Sequence, residues 1–438
     1  MILQTTTIAR NTFIESVRQP IYFIVLMLAG ALQVFTTWST AYSMGYTDSS
    51  EISKDNKLLF DIGLATILVA GMLLAAFIAT AVLSREIESK TILTVVSKPI
   101  SRTAIVLGKY LGVAGALVVA VLIMTSYLML AIRHGVMTTA ADNVDMPVVV
   151  FSTVAVALSV GVAGWCNFYY GWSFPQTASL LLLPGILLAF LLTLAVNKEW
   201  EAQPLFTDFK PQIMLASLAV LFALLVLAAV ATAVSTRLSQ VMTIVICAGV
   251  LMIGLLSNYM IGRHAYKNTS IAVIQEVDPV RELQAGFDKK GDAYIVRLLA
   301  PPLAEVSPGV PVYYGSNPNG FALANHSITA EDGTTEGVLA GGLDGRELTI
   351  ELDTDLPLAS RPPRQGDYVF LTETEVNPFA ATLHAVVPNF QQYWLVDAIT
   401  RNSKIPPNHI LMLAGYAGAQ IVMFLAIGVF LFQRRDVG

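Results

Sequence analysis

Long apolar runs separated by short polar segments dominate the first 261 residues, and one more lies near the end. The runs are 21–40, 60–83, 110–132, 148–165, 178–196, 213–234, 241–261 and 410–432. A helix rises about 1.5 Å per residue, so roughly 20 apolar residues cross a hydrocarbon core of about 30 Å. The pattern predicts an all-α polytopic membrane region of about eight spans. The segment 167–176 leaves two readings open for the pair 148–196: two full spans, or a re-entrant bend.

Between 262 and 408 the pattern changes to short alternating runs. In 346–353, alternation puts Leu348, Ile350 and Leu352 on one face. Similar runs at 293–299, 310–314, 368–372 and 382–387 are separated by Pro and Gly clusters, which predicts a small antiparallel sandwich or barrel. Beyond it, 388–399 carries Phe390, Tyr393, Trp394 and Ile399. Aromatic side chains favour a membrane interface, so a short interfacial helix is expected there. These changes divide the chain into a membrane region 1–261 with a cytoplasmic loop 84–109, a β-rich domain 262–387, and a segment 388–438 holding the last span.

Composition agrees with a chain dissolved mainly in lipid. Hydrophobic residues make up 55% and charged residues 13%, against about 25% charged in soluble domains. A net charge of −5 gives no sign of a nucleic-acid partner. Cys166 and Cys247 are too few and too far apart for a disulfide framework or a zinc site, and His326 and His384 are isolated, so no metal and no cofactor is expected. The triplets starting at Asn268 and Asn325 match a glycosylation acceptor, a pattern frequent by chance. The first 20 residues are polar, and no small-residue cleavage site follows the first apolar run, so that run is expected to stay as a span.

Basic residues orient the spans. With the N-terminus in the cytoplasm, Arg10, Arg18, Arg85, Lys90, Lys98, Arg102, Lys109, Arg237, Arg434 and Arg435 fall on that side. The short outer loops then hold Lys54, Lys57, Arg133, Lys198 and Lys210, mixed with carboxylates. The positive-inside rule therefore places both termini in the cytoplasm and 262–408 outside. Few ionisable residues lie within the runs, which argues against an ion-driven carrier. Neither an HExxH helix nor a phosphate-binding glycine loop is present, so the chain reads as no enzyme by itself.

The most informative stretch is 84–109. Charges open it, Ile92, Leu93, Val95 and Val96 form an apolar centre, and Pro99 breaks it before Arg102. This predicts a short amphipathic helix on the membrane face, then a turn, then the start of the third span at Gly108-Lys109. The plain alternative is a basic loop held at the headgroups.

The order Arg85-Glu86, Glu88, Thr91, Leu93, Ser97, Pro99, Ser101-Arg102, Gly108-Lys109 resembles the cytoplasmic loop of ABC-2 type transporter permeases. Lys90 stands where that family usually has Gly, and Ile92 precedes the leucine. Residues 8–18 resemble the family's N-terminal surface helix, 234–240 its link between later spans, and 431–438 its Phe-x-Arg-Arg-Asp ending. The resemblance covers the membrane core, roughly two-thirds of the chain. It implies a six-helix core, to which the pair near 148–196 and the extracytoplasmic β-rich domain are additions.

The resemblance also implies the membrane subunit of an ATP-driven exporter in the cytoplasmic (inner) membrane. Such a subunit is surrounded by lipids and acts as a homodimer, or beside a related permease, with separate ATPase subunits. Arg85, Glu86 and Glu88 would make charge-assisted hydrogen bonds to the ATPase. Thr91 and Ile92 would pack in its cleft, and Pro99 with Arg102 would stiffen the exit. The contrasting reading is a membrane-anchored scaffold whose outer domain binds a partner. The cargo is not legible.

Overall fold

The structure, a computed structural model, describes residues 2–39, 49–88, 101–136, 144–280, 287, 289–315, 323, 328–329, 335–355, 362–396 and 405–434. The chain divides into two compact units, Met1–Ile253 with Gln392–Gly438, and Gly254–Gln391.

In lipid, every backbone polar group must be satisfied within the chain, so apolar runs form helices. The helices are α1 (Ile2–Val17), α2 (Pro20–Ser39), α3 (Ser49–Glu88), α4 (Arg102–His134), α5 (Met146–Tyr170), α6 (Phe174–Ala195), α7 (Pro211–Ser235) and α8 (Gln240–Leu255), followed by α9 (Pro378–Val386) and α10 (Pro407–Gln433). Seven of the described helices are long and apolar enough to cross a membrane, or up to eight if the bent pair Gln240–Leu255 and Asn258–Ala265 is one span. The chain is thus a mostly helical multi-pass membrane protein with a separate β-rich region. The pair around 148–196 consists of helices of 25 and 22 residues, each of spanning length. Gly171 ends α5 in the left-handed region at φ 66°, a conformation that an L side chain disfavours.

Helix α4 is the axis of the membrane unit, packing against α1, α2, α3, α6, α7 and α10. Its Gly108 and Gly112 let α1 approach closely: a Cβ on Gly108 would lie 2.7 Å from Ile8 Cβ, and one on Gly112 2.6 Å from the Ala9 carbonyl oxygen. Small residues four apart are a common means of bringing two helix backbones together. The buried Tyr22 of α2 donates its hydroxyl to the Ala116 carbonyl at 2.8 Å.

In the β-rich unit the main sheet is antiparallel, in the order β3 (Tyr313–Gly315), β6 (Tyr368–Phe370), β1 (Ser270–Pro279), β2 (Ala293–Leu298), β5 (Glu347–Leu352), β4 (Val338–Asp344). The row curls back on itself. Val312 donates to the Val338 carbonyl at 3.1 Å, and Ala340 to the Val310 carbonyl at 2.9 Å, so the segment leading into β3 also pairs with β4. The result is a small barrel. Alternation works as expected: Leu348 and Ile350 are fully buried beside Val296, Leu298 and Val369. On the outer face Arg297 pairs with Glu347 at 2.8 Å and Glu276 at 3.3 Å, exposed contacts that add little stability.

Two local expectations fail. Residues 382–387 are not a strand but the end of α9. Asn377 caps that helix through the amides of Phe379 and Ala380, and Pro378 occupies its first position, a start signal that outweighs the alternation. The expected interfacial helix at 388–399 is, over its described residues, a 3₁₀ turn Phe390–Tyr393. Phe390 and Tyr393 are buried rather than turned to lipid; 397–399 lie outside the described residues. Helix α3 continues unbroken through Glu88, and the amphipathic helix expected around Ile92–Val96 lies outside the described residues.

Candidate coupling site at the helix ends

Of the loop residues singled out in the sequence, Arg85, Glu86 and Glu88 lie on the last turns of α3, with side chains outside the described residues. Thr91, Ile92 and Pro99 fall wholly outside them. Arg102 is placed, and it does something the sequence did not indicate. It is the first residue of α4, whose cap Ser101 accepts from the Ala104 amide at 3.2 Å. Its Nη1 donates to the carbonyl oxygens of Phe432 at 3.1 Å and Gln433 at 2.8 Å. The guanidinium also lies 5.7 Å from the centroid of the Phe432 ring.

The physical reason is the end of α10. The last carbonyls of a helix lack intrahelical partners and carry partial negative charge. Arg102 meets two of them. Arg237, in the turn after α7, meets a third, donating from Nε to the Leu431 carbonyl at 3.0 Å. Arg434 stacks over the Phe430 ring at 4.3 Å. Two arginines from distant parts of the sequence thus fasten the final turn of α10 to the start of α4 and to the α7–α8 turn.

Lys109 completes the arrangement. It is buried, and its ammonium donates to the Val82 carbonyl of α3 at 3.2 Å. On an adjacent face of α4, α1 rests on Gly108 and Gly112 and buries Thr12 and Ser16 there. Seven residues of α4, Arg102 to Gly108, therefore separate a tie to α10 from the docking of α1, with the tie to α3 following at Lys109. The sequence marked Lys109 and Arg237 as basic residues of one side; that both bond helix carbonyls depends on helix neighbours that sequence spacing does not reveal. Among the described residues, no group of three or more His, Cys, Asp or Glu side chains is placed to hold a metal ion.

At the other ends of the helices, Arg133 of α4 lies 2.9 Å from Asp145, the cap of α5, and 3.1 Å from Asp208 in the α6–α7 connection. The Val196 carbonyl accepts from the same guanidinium at 3.4 Å. The bundle is thus fastened by arginines at both ends.

A search of curated proteins gives no match, and neither does a search of solved structures. The family described as ABC-2 family transporter protein matches residues 6–164, which run from α1 through most of α5 and include the whole loop 84–109. Over residues 6–164 the chain is thus similar to the ABC-2 family of transporters, a match that supports reading this region as an ABC-2 type permease domain.

Proposed function

We propose that this chain is the permease subunit of an ABC-2 type exporter, moving its cargo across the cytoplasmic membrane when separate ATPase subunits hydrolyse ATP. Two copies form the pathway. Both termini face the cytosol, and residues 262–408 lie outside. The observation that supports this reading most directly is the junction at Arg102. A lever needs a stiff connection between the point where force enters and the parts that must move. The family match covers the loop, and the loop ends at the residue that holds α10.

In this reading Arg85, Glu86 and Glu88 bind the ATPase through charge-assisted hydrogen bonds, Thr91 and Ile92 fill its cleft, and Pro99 stiffens the return to α4. Closure of the ATPase dimer displaces 89–100. Arg102 passes that displacement to α10, and Lys109 passes it to α3. The test is co-reconstitution with the partner ATPase. Glu86→Ala with Glu88→Ala should abolish the effect of the permease on ATP hydrolysis, with thermal unfolding unchanged. Full retention of that effect in the double variant removes the loop from the mechanism. A cysteine at position 90 should react with an impermeant thiol reagent only in opened cells; labelling in intact cells reverses the proposed orientation.

A further inference from the structure

A cavity of about 550 Å³ lies between α2, α4 and α5, a size usual for small-molecule sites. Along α5 its wall runs from Val148 to Val160, about 18 Å at the rise of a helix. The walls are chiefly apolar, and Val34 and Val149 at the rim are exposed. On helices of spanning length such exposed valines face hydrocarbon, so the cavity opens sideways into the bilayer.

Two polar side chains interrupt the apolar lining without being satisfied. Gln33 is 2% exposed. Its Nε2 donates to the Met124 carbonyl at 3.3 Å, while its Oε1 is buried without a hydrogen-bond partner. His134 is 8% exposed. Its Nδ1 lies 3.0 Å from the Gly135 carbonyl, an oxygen that can only accept, so Nδ1 carries the proton and Nε2 of the neutral ring is an acceptor. That Nε2 is also buried without a partner. A buried, unsatisfied acceptor is costly. Both orphans ask for a donor, and the neighbouring guanidinium of Arg133 is already turned to Asp145 and Asp208, so nothing here invites a bare anion.

We propose that this cavity binds a bilayer lipid with one apolar chain along α5 and a hydroxyl-rich head that donates hydrogen bonds to Gln33 and His134. The site rests on these helices crossing a bilayer and not on the ATPase coupling proposed above, so the two ideas fail separately.

The probe is an alkyl glucoside carrying a diazirine in its chain, added to the full-length protein in nanodiscs. Its comparator is the same molecule with every hydroxyl replaced by fluorine, close in size but without donors. After photolysis and peptide mapping, the glucoside should label 27–34 and 148–160 about tenfold more than the comparator, the ratio expected for one or two hydrogen bonds. Gln33→Leu with His134→Leu should bring the two probes level. Ala157→Trp, at an exposed position on the cavity wall, should block labelling by both while the thermal transition stays in place. Equal labelling by glucoside and comparator in the unaltered protein, or labelling of the cavity peptides undiminished by Ala157→Trp, overturns the proposal.

Discussion

The guanidinium of Arg133 sits 2.9 Å from the carboxylate of Asp145, with side chains only 9% and 0% exposed. Asp145 also accepts from the Val148 amide at 3.3 Å, so one carboxylate starts α5 and neutralises the end of α4. Breaking a buried pair leaves a charge without compensation, at a cost of about 3 kcal/mol. Asp145→Ala should lose about that much in thermal or denaturant unfolding of the detergent-solubilised protein. Asp145→Asn, which keeps the cap, should lose less. Equal stability of all three proteins would show that Asp208 alone suffices for Arg133.

The docking of α1 on α4 predicts a graded response to size. Gly112→Ala places a methyl 2.6 Å from the Ala9 carbonyl oxygen, and backbone cannot move aside cheaply. It should destabilise by about 1–3 kcal/mol, as overpacking does, and release α1 to protease. Gly115→Ala meets the Phe13 ring at 3.3 Å, a side chain able to shift, and should cost less. Gly161 has nothing within 4 Å of a built Cβ, so Gly161→Ala, in the middle of α5, should be neutral or slightly stabilising.

Removing Arg102 should loosen the end of α10 before anything else. Arg102→Ala leaves the carbonyls of Phe432 and Gln433 without this donor. Because the contact is partly solvated, a global loss of only about 1 kcal/mol is expected. Hydrogen exchange should accelerate locally at residues 430–434 in Arg102→Ala and less in Arg102→Lys. Uniform acceleration along α10 would mean that Arg102 supports packing rather than the final turn.

How far the sequence carried the structure depends on the range of the interaction involved. The spans were legible because hydropathy is a property of a window, and the strand at Glu347–Leu352 because alternation is too. The strand expected at 382–387 failed where a cap at Asn377 competed with a pattern only six residues long. Residue type alone points Phe390 and Tyr393 toward lipid, yet protein neighbours bury both. The role of Arg102 was the least accessible, since its partners lie 330 and 331 positions away.

His384 gives a pH test in the β-rich unit. Its ring nitrogen Nε2 lies 3.0 Å from Asn258 Oδ1, which also accepts from Asn389 at 2.6 Å. Burial lowers its pKa below the ordinary histidine value. The folded unit therefore binds fewer protons than the unfolded chain just below pH 6.5, and stability must rise with pH in that window. Acidification from pH 7 through 6.5 and below should lower the unfolding temperature, and His384→Gln should flatten the slope. An unchanged slope would assign the dependence to other groups.

The curl of the β-rich unit has a consequence for how it meets other molecules. A sheet with an open border offers rows of free amides and carbonyls on which an extended peptide can lie as one more strand. Here Val310 and Val312 already occupy the backbone groups of Val338 and Ala340 at the place where such a border would start. At this border of the main sheet a visitor is therefore read by side chains or loops rather than by strand addition. At that border, the same closure makes edge-to-edge strand pairing between neighbouring copies unfavourable.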